Sequence, residues 1–95
     1  MEIKRGNNKF YVGESEENII ARITWKNGGN KIIVIDHTIV DPSLRGQGIA
    51  EKLIKKVVEM AREENLKIVP VCSYAVAKMT RTNEYEDTIN YKKDE

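Results

Sequence analysis

The stretch from Ile32 to Val71 constrains the fold of this chain more than any other part of its sequence. An apolar run, Ile32 to Ile35, leads through a loop with two glycines into an amphipathic helical pattern from Gln47 to Glu64. Lys67 to Val71 then has the pattern of a short strand. A strand, helix and strand in succession place two strands parallel in one sheet through a right-handed crossover, so we predict an α/β domain.

The residues before this unit predict antiparallel strands. Gly6-Asn7-Asn8 is a turn signal between strands at Ile3–Arg5 and Lys9–Gly13, and the alternation from Ile19 to Lys26 marks a strand with one buried face. Asn27-Gly28-Gly29-Asn30 predicts a hairpin turn, because Asn and Gly tolerate the positive φ that tight turns need.

The remaining segments complete the predicted architecture. The strand Lys31 to Val40 begins with a continuous apolar run, which predicts burial on both faces. Ser73 is expected to cap a second helix from Tyr74 to about Arg81, residues 84–89 to add a turn or short helix, and the tail from about residue 90 to fray. We therefore expect a compact, mostly antiparallel sheet of about five strands with one long and one shorter helix.

Length and composition exclude several classes of protein. Ninety-five residues with 40% hydrophobic and 33% charged side chains predict a single domain over residues 1–95. A net charge of +1 favours neither nucleic acid nor membrane as a partner. One cysteine and one histidine argue against a disulfide or a metal site. With no apolar core of a signal peptide at the amino terminus, we expect a cytoplasmic protein.

The loop before the long helix is a candidate anion site. Gly46 and Gly48 allow close approach to the backbone, the first turn of a helix offers free N–H groups, and Arg45 adds a positive charge. The loop lacks the Gly-Lys-Ser/Thr of nucleotide hydrolases and the third glycine of the dinucleotide fingerprint. We therefore expect the loop to bind a phosphate group of a ligand outside these two classes.

These residues resemble a known signature. The run Val40-x-Pro42-x-x-Arg45-Gly46-Gln47-Gly48-Ile49-Ala50, between an apolar strand and an amphipathic helix, is similar to the acyl-CoA motif of the GCN5-related N-acetyltransferases. The resemblance implies that acetyl-CoA is the co-substrate and that an amine receives the acetyl group. It also implies a cofactor site in which main-chain groups align the pantetheine and the loop holds the pyrophosphate, formed by Ile39, Val40, Arg45, Gly46, Gln47, Gly48, Ile49 and Ala50.

The chain also resembles a small, minimal subfamily of these proteins. The shared features are His37-Thr38-Ile39-Val40, Ala61-Arg62, Pro70-Val71-Cys72 and Asn83-Glu84-Tyr85. Ile39 stands where the subfamily has a glutamate, so a general base at that position is lost. Ser73-Tyr74 replaces Pro-Phe. The chain leaves no room for the two helices that shape the acceptor pocket of larger relatives, so the acceptor site should be shallow, open or completed by a partner.

Cys72 and His37 are the candidate catalytic residues. A cysteine at a helix N-terminus is favoured as thiolate and nucleophile, although a lone cysteine is as readily an inert buried residue. His37 has the side chain of a general base near neutral pH, and a structural histidine is the alternative. Tyr74 and Tyr85 are candidates to protonate the CoA thiolate, with simple half-buried packing as the alternative. Lys52 is a candidate for a CoA phosphate contact.

Two functions remain open at this point. The first is an N-acetyltransferase that transfers directly or through an acetyl thioester on Cys72. The second, favoured by the missing glutamate and the missing acceptor helices, is an acyl-CoA-binding or sensing module without catalysis. An interaction domain without a ligand is a third reading.

Overall fold

The computed structural model describes residues 2–90, and the predicted frayed tail lies almost entirely outside them. The five strands of these residues form one sheet in the order β1-β2-β3-β4-β5, with β1 to β4 antiparallel and β5 parallel to β4. The mostly antiparallel α/β fold predicted from the sequence is confirmed. The strands are β1 Lys4–Gly6, β2 Lys9–Gly13, β3 Ile19–Gly29, β4 Ile32–Val40 and β5 Lys67–Pro70; the helices are α1 Ile49–Glu64 and α2 Ser73–Thr80.

The turn between β3 and β4 is shorter than predicted. Strand β3 continues through the glycines to Gly29, and the turn falls at Asn30 and Lys31, where Lys31 takes a positive φ of 60°. A Cβ at Gly28 would lie 2.6 Å from Cγ2 of Val34. The glycines therefore let two paired strands approach each other, and the prediction that all four residues Asn27 to Asn30 form the turn was wrong.

Strand β4 is buried on one face, not on two as predicted. Ile33 and Ile35 are buried, whereas Ile32 and Val34 are only partly covered. The register shifts by one residue between Thr24 and Trp25, so that Asp36 is the extra residue on β4. Thr24 Oγ1 donates to Asp36 Oδ1 at 2.6 Å.

This shift decides which way the end of β4 faces. Beyond it, Thr38 and Val40 are partly buried, while His37 and Ile39 are exposed on the alternate positions. The polar end of the strand thus divides its side chains between the two faces of the sheet.

One cluster of buried side chains forms the core between the sheet and α1. Ala21, Ile23 and Trp25 face inward from β3, as the alternation predicts, and meet the apolar stripe of the helix. The fully buried side chains of that stripe include Leu53, Ile54, Val57, Val58 and Ala61. The packing stabilises the helix mainly through its buried face.

Both ends of α1 are set by left-handed residues. Gly48 caps the helix with a φ of 72°, so the helix starts at Ile49 and not at Gln47 as predicted. Asn65 ends it with a φ of 58°, and its N–H donates to the Ala61 carbonyl, which confirms the predicted stop.

The segment after α1 differs from the prediction in two details. Strand β5 ends at Pro70, and the cap of α2 is Cys72 instead of Ser73, because the sulfur accepts the Ala75 N–H at 3.3 Å. Residues 86–88 form a short 3₁₀ turn. Neither helix of residues 2–90 has the length and apolar character needed to cross a membrane.

Candidate functional site

A cavity of about 420 Å³ opens where β4 and β5 separate and α1 begins. The last paired residues of the two strands are Ile35 and Pro70. The lining comes from the end of β4, the glycine loop, the first turn of α1 and α2: Thr38, Val40, Leu44, Arg45, Gly46, Gly48, Ile49, Ala50, Glu51, Tyr74 and Lys78. Its size lies within the usual range for small-molecule sites.

The glycine loop has the geometry of an anion cradle. Gly46 and Gly48 both line the cavity and take positive φ values of 85° and 72°. A Cβ at either position would meet nothing within 4 Å, so the backbone here faces open space. The first N–H groups of α1, from Ile49 onward, have no carbonyl within the helix to bind. These features fit a phosphate group.

Most of the predicted cofactor residues lie in this cavity. Val40, Arg45, Gly46, Gly48, Ile49 and Ala50 line it, whereas Ile39 and Gln47 do not. The Ile39 side chain is 49% exposed and borders a separate small groove with Arg22 and Asp41. The expectation for Ile39 concerned its main chain only; Ile39 lies beyond the ladder with β5 and pairs with Arg22 of β3 on the other side.

The sulfur of Cys72 lies at the junction of β4 and α2. Thr38 Oγ1 is 3.3 Å from Cys72 Sγ, and either atom can be the donor. The Ala75 N–H also points at the sulfur, as part of the N-terminal turn of α2. Cys72 is half-buried and free of disulfide bonding. Its sulfur thus meets one hydroxyl and one main-chain donor, both groups that interact well with a thiolate.

His37 is not next to this sulfur. It is exposed, it pairs with Thr24 across the β3–β4 ladder, and it precedes the residue that contacts Cys72. No hydrogen bond joins His37 to Cys72 among residues 2–90. The two candidate catalytic residues therefore lie on alternate sides of the end of β4.

Tyr74 lines the cavity, and Tyr85 does not. Burial, followed by the nearby carboxylate of Glu51, raises the pKa of Tyr74 above the ordinary tyrosine value. Burial is also the main cause of the raised pKa of Tyr85, whose side chain is buried in the core and not half-exposed as expected. Both phenols are held in the neutral form, and Tyr74 is the one that a ligand can reach.

Sequence reasoning missed several lining residues and misplaced one. Thr38, Leu44, Glu51 and Lys78 were not proposed as part of the site, although the spacing of Tyr74 and Lys78 on one helix was visible. Lys52, considered for a phosphate contact, instead borders a different groove with Ile3 and Lys56. No group of three His, Cys, Asp or Glu side chains suited to a metal was found within residues 2–90.

A family model described as GCN5-related N-acetyl-transferase matches residues 9–88. A GCN5-like protein from Staphylococcus aureus, whose NMR structure is described as that of a candidate N-acetyltransferase, is similar over nearly the whole chain. It is 47% identical with a TM-score of 0.82, over 97% of this chain and 90% of that one. No curated protein matches the chain.

Two more distant structures share the fold. A GNAT family N-acetyltransferase from Escherichia coli in complex with CoA is 17% identical with a TM-score of 0.60, over 74% of this chain and 42% of that one. A protein from Bacillus anthracis named as a candidate streptothricin acetyltransferase, in complex with acetyl coenzyme A, is 23% identical with a TM-score of 0.56. That likeness covers 77% of this chain and 44% of the other.

Proposed function

This chain belongs to the GCN5-related N-acetyltransferase family, and we propose that it transfers an acetyl group from acetyl-CoA to an amine. The observation that carries the proposal is the cavity at the start of α1, in which the glycines and Arg45 of the family motif lie together. Family membership favours this enzyme over a binding module without catalysis. Acetyl-CoA supplies the acetyl group in a form activated as a thioester.

We propose that the donor lies along the end of β4 with its phosphates at the glycine loop. The ladder between β4 and β5 stops at Ile35, so the main-chain groups of Val40, beyond that point, are available on that side of the strand for the amides of pantetheine, whereas Ile39 pairs with Arg22 of β3. The positive φ of Gly46 and Gly48, together with the open space beside them, supports phosphate binding by the loop from Arg45 to Ala50. Gln47 and Ile49 belong to this proposed site through their main chain.

Two routes of transfer fit these residues. In the direct route, the amine attacks the acetyl carbonyl and the thiolate of CoA leaves. In the two-step route, the Cys72 thiolate attacks first and releases CoA, and the amine then attacks the acetyl-cysteine and frees the thiol. We propose the second route, because Thr38 and the Ala75 N–H both reach the sulfur.

We propose that His37 takes the proton from the amine. Ile39 cannot act as a base, and His37 is an exposed residue of the same strand on the same side as Ile39. For this role the bound amine must come within hydrogen-bond reach of His37, directly or through one water.

Mixing the protein with acetyl-CoA tests the proposal directly. We expect an acetyl mass increase in intact-mass spectra that is absent in Cys72→Ala, and CoA release that accelerates with a panel of amines. A transfer rate unchanged in Cys72→Ala would rule out the two-step route and keep the direct one. No CoA release with any amine would leave binding alone and contradict the enzyme.

The Gly48→Glu variant tests the cofactor site separately. A carboxylate at this position would repel phosphate and fill the open space of the cradle, so we expect loss of CoA binding by calorimetry.

The cytoplasmic location, the extent of the domain over residues 1–95 and the open acceptor site remain predictions from the sequence.

A further inference from the structure

Lys78 is a cation in the wall of the cavity. It is partly buried, whereas lysine is mostly exposed in proteins. None of the salt bridges among residues 2–90 includes it. Tyr74 precedes Lys78 by one helical turn on α2, and the Lys78 Nζ lies 5.9 Å from the centroid of the Tyr74 ring. The ring of Tyr74 thus stabilises a charge that has no carboxylate partner within residues 2–90.

Lys78 adds its positive charge to the same cavity that the glycine loop lines. Arg45 and the loop form one part of the cavity lining, and Tyr74 and Lys78 of α2 form another. Two cations and one carboxylate, Glu51, are the charged side chains that line it. The cavity therefore carries excess positive charge in a protein that is nearly neutral overall.

We propose that Lys78 binds a phosphate of the acyl donor and makes the cavity selective for phosphorylated thioesters over bare pantetheine thioesters. The inference rests on the proposed function, in which the donor is acetyl-CoA. The loop amides can neutralise only part of the charge of a donor that carries a diphosphate and a further phosphate. Lys78 supplies a cation from α2, an element outside the glycine motif.

A binding comparison tests this assignment. CoA, dephospho-CoA and pantetheine would be titrated by NMR, which measures weak binding, into the wild type, Lys78→Gln, Lys78→Arg and Lys56→Gln. We expect Lys78→Gln to weaken CoA binding about tenfold, as the loss of one charged hydrogen bond does, and to leave pantetheine binding unchanged. Lys78→Arg should keep most of the affinity for CoA.

The control and the contrary outcomes are distinct. Lys56 is an exposed lysine of α1 that borders another groove, so Lys56→Gln should bind CoA like the wild type. Equal weakening of CoA and pantetheine in Lys78→Gln would show that Lys78 only supports Tyr74 and would overturn the assignment. So would unchanged CoA binding in that variant.

Dephospho-CoA identifies the phosphate. If Lys78→Gln weakens CoA but not dephospho-CoA, the lysine contacts the 3′-phosphate; if it weakens both, the lysine contacts the diphosphate. Either result supports the assignment. If the wild type fails to bind CoA, the proposed donor site itself is overturned. If the wild type binds CoA and Lys78→Gln binds it equally well, only the role of Lys78 is overturned.

Discussion

The hydroxyl of Thr38 lies 3.3 Å from the sulfur of Cys72, across the gap where β4 and β5 separate. The contact joins two residues 34 positions apart in the chain. It ties the strand that leads into the glycine loop to the N-terminal turn of α2. The proposed nucleophile is not itself a lining residue of the cavity, but it is held between β4 and α2, two elements that line it.

Replacing Thr38 by Val should lower the reactivity of Cys72. Val keeps the shape and removes the hydroxyl, and the loss of one ordinary hydrogen bond costs about 1 kcal/mol. We expect alkylation of the thiol by iodoacetamide to slow about fivefold, with Cys72 as the only cysteine to follow. Thr38→Ser keeps the hydroxyl and should react like the wild type; equal rates in all three proteins would contradict a role for the contact.

Replacing Gly48 by Ala should destabilise the protein. The left-handed φ of 72° costs an L-residue about 1 kcal/mol, and the new methyl group would meet no atom within 4 Å, so strain is the only penalty expected. Gly13→Ala should cost more, because its Cβ would lie 2.2 Å from the Asn18 carbonyl oxygen. Urea denaturation measures the free energy of unfolding of both variants. A smaller loss of that free energy in Gly13→Ala than in Gly48→Ala would contradict this order.

The ion pair of Arg62 and Asp87 should make stability fall in acid. Hydrogen bonds from Arg62 lower the pKa of Asp87 below its ordinary value of 3.8, so the folded state binds the proton less readily than the unfolded state. This contribution is present above pH 3.8 and is lost as the pH falls through the lowered pKa.

The Asp87→Asn variant isolates this effect. We expect its urea midpoint to be lower than that of the wild type at pH 7 and the difference to shrink as the pH falls below 3.8. Glu63→Gln, an exposed change on α1 outside the described salt bridges, is the matched control. A difference that stays constant with pH would show that Asp87 contributes through its shape and not its charge.

Removing the carboxylate of Glu51 should tighten CoA binding. Glu51 lines the cavity and repels phosphate, so Glu51→Gln should lower the dissociation constant a few-fold at low salt and less at high salt, where charges are screened. The pKa of Tyr74 should also fall toward its ordinary value while staying raised, because burial is the larger cause. Glu59→Gln, which lies in another groove, should change neither quantity.

The strands, the long helix and the cofactor loop could be predicted because each has a local signal. Alternation marks β3, the helical stripe marks α1, and Asn65 marks the end of that helix, whereas its start was predicted at Gln47 and lies at Ile49. The hairpin turn was misplaced because the same glycines also permit close strand pairing, which no local pattern distinguishes.

The rest of the site depends on tertiary contacts. The extra residue on β4 reverses the alternation, so Thr38 reaches Cys72 and His37 turns outward, and this follows from pairing with β3. Lys78 enters the cavity because α2 packs beside the loop, a placement that the sequence of α2 does not encode by itself. Side chains brought together from different elements are what sequence patterns leave out.

The end of the β4–β5 ladder at Ile35 also gives the sheet an interior edge, a row of main-chain donors and acceptors inside the molecule instead of at its rim. Exposed edges recruit foreign strands and lead to aggregation. Here the side chains of Thr38 and Cys72 bridge the opening, so an invading strand would have to separate them before it could pair. The contact that holds the sulfur therefore also hinders aggregation through strand pairing at this edge.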